Sequence, residues 1–250
     1  MGSFRDHLRF LYHRTLILPR VSRAYSKLST AETFSRIYAA HAWGTDEQQG
    51  FNSGGGSRGA IADQYCSWLI AFIREKGFRS VVDLGCGDFY IGSRIAGETG
   101  IEYLGIDIVP EVIEHHARSF TRKGISFQCL DIVKDRLPRA DFCMIRQVLQ
   151  HLSNAEIVAI LSNVSQYPFA LVSEHVPRKP RTFNRDQSHG PQVRSTYGSG
   201  IYLDRSPFCR QILGEWQIGV DAGSVIRSVL ISGREQRFNN DPDARIQAAS

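Results

Sequence analysis

Ten residues constrain the fold of this chain more than any other stretch: Ser80-Val81-Val82-Asp83-Leu84-Gly85-Cys86-Gly87-Asp88-Phe89. A β-branched apolar run carries an acid near its end and gives way to two glycines one residue apart. A segment with helical spacing of apolar residues follows. That order describes a buried strand, then a turn whose backbone can lie against a ligand, then a helix whose N-terminus faces the same ligand. A chain that begins a unit this way is committed to an α/β architecture.

The rest of the sequence keeps that rhythm. Before the turn, residues 31–44 and 61–73 read as helices, separated by Ser53-Gly54-Gly55-Gly56-Ser57-Arg58-Gly59, where four glycines in seven residues leave backbone N–H groups unobstructed. After it, strands are expected at 102–106, 125–130, 142–145 and 169–173, alternating with helices at 90–99, 110–123 and from Ser153 onward. Ser153 with Glu156 three residues later has capping-box spacing. Such alternation predicts a Rossmann-like, seven-stranded, mostly parallel sheet with helices on both faces. A helix at 208–213 and two further strands, 216–220 and 225–232, complete it, the last two close enough for a hairpin. Three segments are expected: a basic N-terminal helical arm (1–30), the main domain (31–236) and a polar tail (237–250). Residues 177–206 have no period and are long for a connection, which marks a substrate loop or lid.

Two more acids repeat the placement of the first. Asp107 closes the second strand twenty residues after Gly87, where a carboxylate can accept hydrogen bonds from ribose hydroxyls. Asp131 closes the third strand in Cys129-Leu130-Asp131-Ile132. Three acids at the carboxyl ends of three successive strands are hard to obtain by chance. A dinucleotide site needs G-x-G-x-x-G, and here the third glycine, Gly92, comes too late.

Totals bound the partners. Hydrophobic residues make up 42% and charged residues 22% of the 250, ordinary for a folded domain. No run approaches the roughly 18 apolar residues of a membrane span, so a cytoplasmic protein is expected. The five cysteines lack CxxC spacing and read as reduced thiols. No metal is expected. The net charge of +5 belongs to residues 1–28, which hold six of the 30 basic residues and one of the 25 acids, leaving 24 against 24 elsewhere. That balance removes the simplest argument for nucleic-acid binding. The arm's apolar residues Leu8, Leu11, Tyr12 and Leu16 share a helical face. It reads as a helix packed on the main domain, as a basic arm touching a membrane surface or acidic partner, or as a mitochondrial presequence.

Residues 34–233 resemble a compact bacterial class I methyltransferase dependent on S-adenosylmethionine (SAM). The resemblance implies that Asp83, Gly85 and Gly87 line the methionine portion of SAM, Asp107 and Ile108 its ribose, and Asp131 and Ile132 its adenine. The segment holding Arg146 and Gln147 would pass beneath the sulfonium. Trp43-Gly44 and the loop ending at Ser57 resemble an upstream segment that closes over the methionine end. Asn184-Arg185-Asp186 and Arg194 resemble a substrate-side segment.

Methyl transfer needs an in-line approach, a dry site and usually a base. His151, just after the fourth strand, is the first candidate; an imidazole with a pKa near neutrality would suit proton removal, while a purely structural histidine remains the other reading. His189 with Asp186 is the second. Arg185 and Arg194 could hold an anionic group of the acceptor through a bidentate fork, with Asp186 beside them. The expected activity is methyl transfer from SAM to an oxygen or nitrogen of a small polar acceptor, such as a sugar or a natural-product or envelope intermediate. The tetrad typical of amino-group methylation on nucleic acid or protein is replaced by Arg146-Gln147-Val148-Leu149. The rival expectations are a non-catalytic SAM-binding module and a nicotinamide-dependent oxidoreductase.

Overall fold

A computed structural model describes residues 24–25, 27–44 and 50–232. The helix expected at the start of the basic arm and the polar tail lie outside the described residues. Five helices and seven strands make up the rest: α1 (Thr30–Ala39), α2 (Gly59–Lys76), β1 (Ser80–Leu84), α3 (Tyr90–Thr99), β2 (Glu102–Asp107), α4 (Pro110–Ser119), β3 (Ile125–Cys129), β4 (Phe142–Arg146), α5 (Asn154–Val164), β5 (Phe169–Pro177), β6 (Ile212–Gly219) and β7 (Ser224–Ser232). No helix among the described residues is long and apolar enough to cross a membrane.

The strands form one sheet in the order β3-β2-β1-β4-β5-β7-β6. Neighbours from β3 to β5 are parallel, and β7 pairs antiparallel with both β5 and β6. Chain order reverses between β1 and β4, so a crevice opens at the carboxyl ends of those two strands.

Alternation along the strands sorts the core into two layers. Val82, Leu84, Ile106, Cys143, Ile145, Ala170 and Val172 face α5 and α1, packing on Ile157, Ile160, Leu161, Phe34 and Ile37. Val81, Tyr103, Phe142, Met144 and Leu171 face α2 and α3, packing on Tyr65, Leu69, Ile73, Ile91 and Ile95. Adjacent residues on one strand therefore serve opposite layers, as the period of two requires.

Local chemistry sets the helix ends. Ser153 and Glu156 form the expected capping box at α5, and Ser29 with Glu32 forms another at α1. Gly77 ends α2 in the left-handed conformation at φ 67°.

The helix expected at 208–213 is absent. Phe208 and Cys209 both donate their N–H to the Arg205 carbonyl, Cys209 has φ +46°, and the Arg210 N–H returns to the Leu203 carbonyl. A left-handed residue at that point stops helical propagation, and Ile212 joins the sheet three residues later. Residues 177–206 are irregular but held from within. Asn184, buried, donates to the Tyr202 and Ser206 carbonyls and accepts from the Tyr202 N–H, and a short 3-10 turn covers Arg194–Tyr197.

Candidate active site

The crevice at the switch point is an open cleft enclosing about 970 Å³, part of it continuous with solvent. Asp83, Asp107 and Asp131 all line it, together with Ser57, Gly85, Gly87, Ile108, Ile132, Arg146, Gln147 and His151. Every residue marked in the sequence for the cofactor thus faces one space.

Parallel pairing brings the acids together. β2 extends beside β1 with Leu84 opposite Ile106, so Asp107 sits just past the end of β1. Its buried carboxylate accepts from the Gly87 N–H at 3.0 Å and from the Val109 N–H at 3.1 Å. Burial raises its pKa, and these backbone hydrogen bonds oppose that rise. Asp83 is also buried, with the Tyr103 hydroxyl donating to it at 2.5 Å. Loss of water raises its pKa to about 7, against the lowering effects of Tyr103 and Arg146. A carboxylate held in that condition gains strongly from an arriving cation. Asp131 is more open. It accepts from the Val133 N–H at 2.9 Å and meets Lys134 at 3.1 Å.

The glycine turn needs its glycines. Gly85 has φ +82° and Gly87 φ +54°, both left-handed. A Cβ on Gly85 would run into Val148, and one on Gly87 into the Ser53 hydroxyl. His116, buried below, donates from Nε2 to the Gly87 carbonyl at 2.7 Å. From above, the upstream loop locks on. Ser53 Oγ accepts from the Asp88 N–H at 2.8 Å, Asp88 accepts from the Ser53 N–H at 3.0 Å, and the Tyr38 hydroxyl lies 2.9 Å from Ser53 Oγ. Arg146 lies over the Tyr65 ring and donates to the Gly56 carbonyl, joining β4 to the same loop.

His151 stands in a 3-10 turn, Leu149–His151, clamped at both ends. The buried Glu174 carboxylate accepts from the Leu149 N–H at 2.8 Å and the Gln150 N–H at 3.3 Å. Arg194, only 1% exposed, donates to the Leu149 carbonyl at 2.8 Å, the Leu152 carbonyl at 2.7 Å and Asn154 Oδ1 at 3.0 Å. His151 Nδ1 faces the Gly190 carbonyl at 3.2 Å, so Nδ1 carries the proton and Nε2 keeps its lone pair. Contrary to the near-neutral value expected, burial lowers the pKa of this ring to about 4. It is a neutral hydrogen-bond acceptor at physiological pH.

The other polar candidates lie away from the cleft. His189 has Nδ1 2.8 Å from Glu156 and Nε2 3.0 Å from the Leu28 carbonyl, so both nitrogens are occupied. Asp186 accepts from the Asn154 and Gln187 N–H groups. Arg185 stacks its guanidinium 3.9 Å from the Tyr197 ring centre. Arg194 is spent on the His151 turn. Sequence reasoning missed Tyr38, Asp88, Tyr103 and Glu174. A lone acid inside the apolar run Ala170-Leu171-Val172-Ser173-Glu174 is the signal that could have found the last of these.

The strand order and the carboxylate-tipped strand ends define a Rossmann-like α/β methyltransferase fold. Residues 81–167 match the family model described as a methyltransferase domain. Solved structures agree on the fold. The methyltransferase domain of bacterial CtHen1-C is 16% identical, with a TM-score of 0.53, covering 69% of this chain and 98% of that one. The domain of bacterial CtHen1-CN is 17% identical, with a TM-score of 0.51 over 69% of this chain and all of its own. A protein from Galdieria sulphuraria, described as a sarcosine dimethylglycine methyltransferase, is 11% identical, with a TM-score of 0.51 over 80% and 98%. Comparison with curated proteins gives no match. The matched segment runs from β1 through α5, and the fold around it is the one these methyltransferase structures share.

Proposed function

We propose that the chain transfers the methyl group of SAM to an oxygen or nitrogen of a small-molecule acceptor. The carrying observation is that the strand-end acids, the glycine turn and His151 line a single cleft. SAM supplies an electrophilic methyl on a cationic sulfur, and the protein contributes positioning and exclusion of water. In this reading Asp107 receives the ribose hydroxyls, and Asp131 with Ile108 and Ile132 borders the adenine. Asp83, Ser57, Arg146 and the glycine turn border the methionine part. Buried Asp83 fits a ligand that brings positive charge, and the left-handed Gly85 and Gly87 let Val148 and Ser53 pack directly on the turn that borders it.

His151 orients the acceptor by accepting its hydrogen bond. A strong general base would need a higher pKa than burial leaves it. A sugar or anionic acceptor loses support, because Arg185, Arg194 and Asp186 are engaged elsewhere. A natural-product type of acceptor fits better. Titration calorimetry with S-adenosylhomocysteine tests the reading. Micromolar binding is expected, along with release of S-adenosylhomocysteine from SAM when an acceptor is present. Absence of any affinity for either compound overturns it.

A further inference from the structure

The two ends of the cleft differ in chemistry, and the difference points to the acceptor. Among the described lining residues, all four carboxylates (Asp83, Asp88, Asp107, Asp131) and the one guanidinium, Arg146, belong to the glycine-turn and strand-end side. Around His151 the lining is Phe34, Trp43, Val148 and Leu152, with Thr30 beside them. The Trp43 and His151 ring centres are 5.1 Å apart, Phe34 meets the His151 ring edge-on at 6.4 Å, and Phe34 and Trp43 are 6.0 Å apart. Thr30 donates its hydroxyl to Glu156. What this end presents is flat aromatic and aliphatic surface around His151, whose Nε2 accepts from the Gln150 side-chain amide at 3.4 Å, with Gln147 Oε1 3.5 Å from the same amide.

We propose that the acceptor is a phenol: a planar aromatic ring lying against Trp43, Phe34 and Val148, with the hydroxyl to be methylated donating to Nε2 of His151 in place of the Gln150 amide that lies 3.4 Å from it. This rests on the reading of the cleft as a methyltransferase site. Apolar walls select a ring over a sugar, whose many hydroxyls would lose water without finding partners. A carboxylate or phosphate finds no cation at this end among the described residues. An ammonium would bring a second positive charge beside the sulfonium, which at short range in a water-poor cleft is costly. The low basicity of His151 agrees. A phenol, with a reference pKa near 10, yields its proton far more readily than an aliphatic alcohol. In the step itself the phenolic oxygen forms the new bond to the methyl carbon as the carbon–sulfur bond breaks. That electron pair returns to sulfur, the sulfonium becomes a neutral thioether, and the phenolic proton, acidified as its oxygen is alkylated, is released to solvent through the open side of the cleft.

The test is binding of three probes to the full chain saturated with S-adenosylhomocysteine: 4-methylcatechol, glucose and N-methylethanolamine, by calorimetry. The expected result is saturable binding of the catechol alone. Trp43→Ala should weaken it about tenfold, while Trp43→Phe keeps it within about threefold, because an aromatic face is worth roughly 1 kcal/mol or more beyond its area. The S-adenosylhomocysteine affinity of each variant reports that it is folded. Binding of glucose or the amine in preference to the catechol, binding of none of the three, or indifference to Trp43→Ala overturns the phenol assignment and leaves the methyltransferase reading standing. If S-adenosylhomocysteine itself fails to bind the wild-type chain, both fall together.

Discussion

The cleft has two ends built by different means. The cofactor end is made of residues close in sequence, held by backbone hydrogen bonds to charged groups. Asp107, Gly87 and Val109 lie within 23 residues and form one such unit. The acceptor end gathers α1, Trp43, the 149–151 turn, β5 and the loop to Arg194, segments up to about 160 residues apart, as in the Leu28–His189 contact. The first end is rigid because its polar groups bond directly to the turn they shape. The second is held indirectly, through buried side chains that never touch the cleft. In the proposed reading, ligand charge is read at the first end and ligand shape at the second.

The largest expected effect separates them most sharply. Asp107→Ala should lower S-adenosylhomocysteine affinity by about a hundredfold, since two charge-assisted hydrogen bonds within the turn are lost together with the ribose partner. A calorimetric titration checks it. A loss below about threefold would break the assignment of that end.

Asp83 gives a smaller effect with a distinctive pH signature. Its pKa is near 7 in the free protein because burial disfavours the charge. A cationic ligand lowers it, so binding of SAM expels a proton wherever the acid is still protonated. Affinity should therefore fall about tenfold from pH 8 to pH 6, and Asp83→Asn should abolish the dependence. The same variant should stabilise the ligand-free protein at pH 8. A folded pKa raised above the unfolded one contributes stability at pH below about 4 and loses it as pH rises towards 7. Thermal melts with and without SAM at pH 6 and pH 8 measure both signs.

The difference between the ends also explains what could be read in advance. Strand order, the glycine turn and the three acids are local patterns: period-two alternation, a pair of glycines, an acid at a strand terminus. Each survives in the one-dimensional text, and all reappear around one cleft. His151 stood out for its position after β4, but its protonation depends on burial by Phe34 and Trp43, over a hundred residues upstream, so its basicity was misjudged. Arg185, Arg194 and His189 look like ligand-binding groups because free cations are the ordinary reading of a polar loop. Whether a guanidinium faces a ligand or a carbonyl is decided by tertiary packing that leaves no spacing signal. The expected helix at 208–213 failed for a similar reason, since Cys209 takes a left-handed conformation that its residue type does not announce.

Arg194 offers the finest test of the contrast, because it shapes the acceptor end from outside the cleft. Its guanidinium satisfies the Leu149 and Leu152 carbonyls, while Glu174 on the far side satisfies the Leu149 and Gln150 N–H groups. The turn between them presents His151. Burial lowers the pKa of Arg194 to about 10, which still leaves it charged at neutral pH opposite Glu174. Arg194→Lys keeps the charge but loses the planar fork, so the carbonyls cannot all be reached at once. The expectation is a fall in kcat of about fivefold with unchanged S-adenosylhomocysteine affinity, since a residue that positions His151 acts on the aligned complex and leaves the charged end alone. Steady-state kinetics beside a calorimetric titration distinguish this from general loosening. If the variant weakens the cofactor as much as it slows turnover, the two ends are one mechanical unit and the division drawn between them fails.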